Sequence, residues 1–169
     1  DYNKNMIKTK TYEPPIQTSR FQFNFYKWKK GRETENKIRP FMEKHFDCKF
    51  TREDDDLDID SIDPLNPPPQ IFEKLDFRND EKKIIVEIKG RDITSDKFYD
   101  TIITCGKVDE AKQKIEDGYD VYYIFAFKNK CKIVQQPKNV EWRTRITGTF
   151  QIPHYLIPIW TMKDFNISK

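Results

Sequence analysis

Asp76, Glu87 and Lys89 are the residues of this chain whose types and spacing can do chemistry together, in the pattern D-x(10)-E-x-K. Two short β-type runs, Lys74–Arg78 and Ile84–Gly90, flank Asn79-Asp-Glu-Lys-Lys83, which is the pattern of an antiparallel hairpin. Side chains alternate faces along a strand, so Glu87 and Lys89 project together and Val86 and Ile88 project to the other side, giving a chemical face and a core face. If Asn79 pairs with Ile84, Asp76 falls opposite Glu87, with Cβ atoms roughly 4.5–5.5 Å apart. Carboxylates that close repel unless a cation lies between them. A hard divalent ion, Mg2+ or Mn2+, takes one or two carboxylates, backbone oxygens and waters, so Asp76, Glu87 and the carbonyl of Ile88 would suffice to hold one. The Lys89 ammonium would then hold and polarise the attacking water or a scissile phosphate, and phosphodiester hydrolysis needs just those parts. The same three residues also fit a solvated cross-strand charge ladder with no chemistry.

The elements that must position these residues can be read on either side. Residues 1–19 are polar, with Pro14-Pro15, and read as an irregular lead-in; Phe21, Phe23 and Phe25 alternate with polar residues as in a strand. Lys27-Trp-Lys-Lys-Gly-Arg32 reads as a basic turn. From Glu33 to Phe46 the spacing of Ile38, Phe41, Met42 and Phe46 is helical, but Pro40 requires the helix to begin near Lys37 or to kink. Residues 51–70, with Asp54–Asp60 and Pro67-Pro-Pro69, read as a long solvated loop, too acidic and proline-rich to bury. A helix is expected over Thr104–Asp117, capped by Thr104 and ended by Gly118, followed by a buried strand over Tyr119–Phe127. Strand, helix and buried strand imply a βαβ crossover. Short β runs at Gly148–Ile152 and Tyr155–Trp160 complete the tail.

A length of 169 residues with 36% apolar residues fits one domain, here 21–169, behind an N-terminal arm at 1–20. The 31 basic and 28 acidic residues nearly cancel, so net charge alone does not indicate a nucleic-acid binder. Three scattered cysteines, Cys48, Cys105 and Cys131, suggest neither a zinc cluster nor a disulfide framework and fit a reducing, intracellular setting. No apolar run is long enough to span a bilayer, so a soluble protein without membrane contact is expected. The chain opens on Asp1 rather than methionine, as a processed or trimmed piece does.

Taken with the helix before it and the helix and buried strand after it, Asp76-x(10)-Glu87-Ile88-Lys89 resembles the PD-(D/E)XK nuclease superfamily over roughly Gly31 to Phe127. The resemblance implies an α/β, restriction-endonuclease-like core in which a central mixed β-sheet is flanked by helices. It also implies a metal-dependent nuclease acting on nucleic acid, DNA first, with Asp76 and Glu87 as metal ligands, Lys89 as the catalytic lysine and Glu35 as the helix glutamate, Glu33 being the fallback. Leu75 stands where the name-giving proline is usual. The later part is similar to small viral and phage nucleases, which implies a host-cell cytoplasmic or nuclear location, and a nuclease cutting both strands would suit a homodimer. Lys107, in the first turn of its helix, is placed to meet a substrate phosphate, and Lys29, Lys30 and Arg32 form a basic, tryptophan-bearing cluster for the nucleic-acid backbone. Trp142-Arg143-Thr-Arg145 offers a second cluster of that kind.

Competing readings are few. The acidic loop lacks the glycine and terminal glutamate of a calcium loop. His45 and His154 read as structural, and Cys105, whose thiol pKa could fall near a helix N-terminus, has no histidine partner in view. Besides the enzyme, two classes stay open: a nucleic-acid binding module on a nuclease fold, and an interaction protein that uses the acidic loop.

Overall fold

The computed structural model describes residues 14–68, 77–148 and 151–168, with side chains from Phe25 onward. Its first element is a single helix, α1, from Pro14 to Phe46. Helix therefore replaces the irregular lead-in from Pro14 onward, the strand expected at residues 21–25 and the basic turn at 27–32. The reason lies in which residues are buried. Phe25, Arg32, Glu35, Ile38 and Met42 are buried at intervals of three to seven residues along one helical face. Two of the five are charged, so the stripe escapes a search for apolar periodicity. Prolines suit the start of a helix because their missing N–H would have no partner there. Pro40 is exposed and the helix runs through it, at the loss of one N–H donor.

The hairpin follows. β1 (Phe77–Asn79) pairs antiparallel with β2 (Ile84–Gly90), with Asn79 opposite Ile84 and Phe77 opposite Val86, the expected register across residues 80–83. Asp76 lies outside the described residues. After β3 (Asp100–Thr104) comes the helix α2 (Cys105–Glu116), ended at Gly118 with φ of 98°, a left-handed conformation that glycine adopts without strain. β4 (Asp120–Ala126) then pairs parallel with β2, as a βαβ crossover requires. β5 (Cys131–Gln135), β6 (Arg143–Thr147), β7 (Ile152–Pro158) and β8 (Lys163–Phe165) complete the chain. Of the β run expected over Gly148–Ile152, Gly148 and Gln151 have positive φ and Ile152 opens β7, while Thr149 and Phe150 lie outside the described residues.

Among the described residues the strands form two sheets: a mixed five-stranded one in the order β1-β2-β4-β5-β8 and an antiparallel three-stranded one in the order β3-β7-β6. The larger sheet is covered on both faces. Ile38 and Met42 of α1 pack with Phe77, Val86, Ile88, Ile124 and Ile133 on one side. Val108 and Ala111 of α2, with Ile103 and Ile157 of the smaller sheet, pack with Ile85, Val121, Tyr123 and Phe125 on the other. This is an α/β fold with a mixed sheet between helices. Among the described residues no helix is long and apolar enough to cross a membrane.

The acidic segment is only partly the solvated loop that its composition suggests. Thr51 exchanges two main-chain hydrogen bonds with Arg78, adding to the outer edge of β1. Arg52 and Asp54 are buried. They close a ring of alternating charges with α1: Arg32 meets Glu35 at 2.5 Å and Asp54 at 2.6 Å, while Arg52 meets Glu35 at 3.2 Å and Asp54 at 2.7 Å. Carboxylates can be buried when each charge has partners on both sides, so composition alone misjudged this stretch. Arg39 adds a pair to Asp55 at 2.7 Å.

Candidate active site

Glu87 is the centre of the candidate site. Both faces of β2 are covered, so the face it shares with Ile85 and Lys89 is not an open chemical face, and Glu87 is only 1% exposed. One of its oxygens, Oε1, accepts from two ammonium groups, Lys107 at 2.7 Å and Lys89 at 3.3 Å. Lys89 reaches it from two residues along the same strand face, and Lys107 from the first turn of α2, which the crossover lays over that face. Burial alone would push the Glu87 carboxyl upward, but the Lys107 and Lys89 charges outweigh it and hold the carboxyl below its ordinary value.

Three further groups feel that charge. Arg91, just past β2, donates to Thr101 Oγ1 at 2.9 Å and to the Ile102 carbonyl, and lies over the Phe125 ring. Burial pushes its guanidinium down to about 10, with Glu87 opposing, so it stays a cation at neutral pH. The Tyr123 phenol is raised by burial and by Glu87, and it donates to Gln136 Oε1, while Gln136 Nε2 donates to the Val108 carbonyl at 3.1 Å. Glu35 is the third. Its carboxyl is raised by burial, which Arg32 and Arg52 only partly offset, and the nearby Glu87 charge raises it further.

The structure thus brings Glu87, Lys89 and Lys107 into contact and sets Glu35 and Arg91 within electrostatic reach. Asp76 lies outside the described residues. Ile88 turns its side chain into the α1 side of the core. Glu35, not the exposed Glu33, is the buried glutamate of the helix, but its carboxylate is engaged by Arg32 and Arg52. The expectation that Arg32 binds a nucleic-acid backbone is corrected: its side chain is 4% exposed and sits between two carboxylates. Lys29 pairs with Asp60 at 3.3 Å, and Lys30 is exposed. Cys105 is likewise corrected, since burial raises its thiol rather than lowering it. Arg91 carries no motif in the sequence, being a lone arginine after a strand. Its place directly after Glu87-Ile-Lys89-Gly90 was the available signal.

Among the described residues no group of three or more His, Cys, Asp or Glu side chains is arranged to hold a metal ion. One carboxylate among three cations is suited to an anion, or to a second carboxylate carrying a cation with it. Comparison with protein-family models, with curated proteins and with solved structures gives no match.

Proposed function

We propose that this chain is a metal-dependent nuclease of the PD-(D/E)XK kind, hydrolysing phosphodiester bonds in DNA, with Asp76 and Glu87 as metal ligands and Lys89 as the catalytic lysine. The observation that carries the reading is Glu87, a carboxylate that is 1% exposed yet kept ionised by two lysines. Burying an ion costs several kcal/mol even after relaxation, and an apolar residue would fill this strand position without that penalty. A charge retained at such depth, with its pKa set by specific partners, marks a functional candidate. The order helix, three strands, helix, strand from Pro14 to Ala126 supports the restriction-endonuclease-like reading of the fold, although β3 pairs in the smaller sheet.

The donor chemistry suits Mg2+ or Mn2+. Glu87 and the carbonyl of Ile88 are hard oxygen donors on adjacent residues, and Asp76, which the reading requires, is one residue beyond the pair Phe77–Val86. When bound, such an ion would lower the pKa of a coordinated water and offset charge growing on the phosphate. The chain's own residues do the rest. Lys89, 34% exposed at its side chain, is the cation most open to a substrate oxygen or the attacking water. Lys107 stands at the N-terminal end of α2, where unpaired N–H groups add to its attraction for a phosphate. Glu35 takes a positioning role, tying α1 to the 52–54 segment.

The test incubates the purified chain with DNA or RNA and with Mg2+, Mn2+ or EDTA. Cleavage of DNA is expected with either metal, none in EDTA, and none in Asp76→Asn, Glu87→Gln or Lys89→Ala. Full activity in any one variant would overturn the reading. One observation favours a second reading, a nucleic-acid binding module without turnover: the 2.7 Å pair with Lys107 already neutralises Glu87. Isothermal titration separates the two, since only the nuclease reading expects Mg2+ to bind wild type and to lose affinity in Glu87→Gln.

A further inference from the structure

We propose that the β6–β7 ribbon is a docking surface for duplex nucleic acid, holding the phosphate backbone through Arg143 and Arg145. The inference rests on the reading that the substrate is a nucleic acid, and it concerns residues remote in sequence from the catalytic motif. Charge is the first argument. Between Val121 and Lys163 the chain carries seven Lys and Arg residues against one acidic residue, Glu141, although acids and bases nearly balance over the whole sequence. From Trp142 to Met162, the span of the ribbon, there is no acidic residue at all. A one-signed stretch of this kind is the electrostatic footprint of a polyanion partner.

Exposure is the second, independent argument. A strand packed on a core hides alternate residues, yet Arg143, Thr144, Arg145 and Ile146 are all exposed. Among the described residues β6 therefore stands clear of the body on both faces, paired only with β7, and Arg143 and Arg145 project to the same side. Among the described residues neither arginine has a carboxylate within ion-pair distance, whereas Lys128, Lys130 and Lys132 each do. Ile146 is 65% exposed and Ile152 42% exposed, so the ribbon also carries apolar side chains with no core to cover.

Placement is the third. Thr104 pairs with His154, and His154 pairs with Arg145. The Arg145 backbone therefore lies two strand spacings, about 10 Å, from that of Thr104. Thr104 leads directly into α2, whose first turn holds Lys107 against Glu87. The occupant is a duplex because a two-stranded ribbon fits the major groove, and one face of this ribbon carries Arg143 and Arg145 together with Ile152, which pairs with Thr147 on the same side.

The experiment measures binding of a short labelled duplex by fluorescence anisotropy in EDTA, across a salt titration. Losing two phosphate contacts, Arg143→Ala/Arg145→Ala should weaken binding and flatten the slope of log K against log salt by about 1.8. The Arg→Lys pair of substitutions should keep the wild-type slope. Arg143→Gln/Arg145→Gln, which retains side-chain length and hydrogen bonding, should behave as the alanine pair does, and circular dichroism checks that each variant is folded. A wild-type slope in both neutral variants would overturn the proposal, even if solubility fell, since edge-strand arginines also guard against aggregation. Tighter binding to single strands, or binding to anionic phosphatidylserine vesicles with none to the duplex, would overturn it as well. Because cleavage is not measured, the two readings fail separately. Binding with the expected slopes but no cleavage in Mg2+ would remove the catalytic reading and keep the ribbon, and cleavage with unchanged slopes would do the reverse.

Discussion

Replacing Arg52 by methionine keeps most of its apolar bulk and removes its charge, together with a hydrogen bond to Asn36 Oδ1 at 3.0 Å, which makes it a probe of the charge ring between α1 and the 52–54 segment. In wild type, Glu35 and Asp54 each touch two guanidinium groups, and all four side chains are 9% exposed or less. Arg52→Met leaves each carboxylate with Arg32 alone, and breaking a buried pair in this way costs about 3–5 kcal/mol. With a urea slope of about 2 kcal/mol per M, the unfolding midpoint should fall by about 2 M at pH 7. The pH dependence carries a sign. The Glu35 carboxyl is already raised in the folded state by burial, with Arg52 among the charges that oppose the rise, so removing Arg52 raises it further. A carboxyl whose folded pKa exceeds its unfolded one binds a proton on folding, so its penalty is full above the folded pKa and vanishes below the unfolded one. The difference between Arg52→Met and wild type should therefore shrink as the pH falls through the raised Glu35 range. Glu35→Gln/Arg52→Met should be less destabilised than the sum of its single variants, because the two residues share one network. A loss under about 1 kcal/mol at pH 7, well short of what a broken buried pair costs, or a loss that grows on acidification, would refute the reasoning.

Three further outcomes follow from geometry already described. Lys107→Ala should raise the Glu87 carboxyl, since Lys107 is the stronger of its two counter-charges, which a carbon-detected NMR titration reads directly; it should also flatten the salt dependence of duplex binding by about one phosphate contact. Tyr123→Phe leaves Gln136 Oε1 without its buried donor and should cost about 1–3 kcal/mol in chemical denaturation, with little change in fold by circular dichroism. Gly118→Ala forces an alanine into φ of 98° at the end of α2 and should cost about 1–2 kcal/mol, measured in the same assay.

The hairpin, α2 and the buried parallel strand were legible because each is written in local chemistry: alternation about a polar turn, an apolar face ended by a glycine, an apolar run; the Thr104 side chain expected to cap α2 makes no capping hydrogen bond. The contact of Lys107 with Glu87 was within reach of sequence reasoning, since a helix in the crossover from β2 to the parallel β4 must pack over the face of those strands. The end of α1, from Glu33 to Phe46, was legible from the spacing of Ile38, Phe41, Met42 and Phe46, but its earlier course was not, because the buried face passes through Arg32 and Glu35, whose partners lie at positions 52 and 54. Periodicity detects hydrophobic burial, and a charge neutralised by a residue distant in sequence looks like a solvated one. The same limit explains Glu87, whose strand was read as two-faced because the smaller sheet that covers it is formed by β3, β6 and β7, and pairing at that range leaves no local mark.

The path of the chain between its two sheets has a consequence for how the molecule comes apart. Strands β1 and β2 belong to the larger sheet, β3 to the smaller, β4 and β5 to the larger, β6 and β7 to the smaller, and β8 again to the larger. No single cut separates one sheet from the other, so neither can be excised as an autonomous fragment. β2 and β4 each place side chains in both cores, so losing either strips both at once. Unfolding should therefore be cooperative across the whole fold, with fluorescence and far-ultraviolet transitions that coincide. Limited proteolysis should give no stable half-molecule, only trimmed ends and then complete digestion.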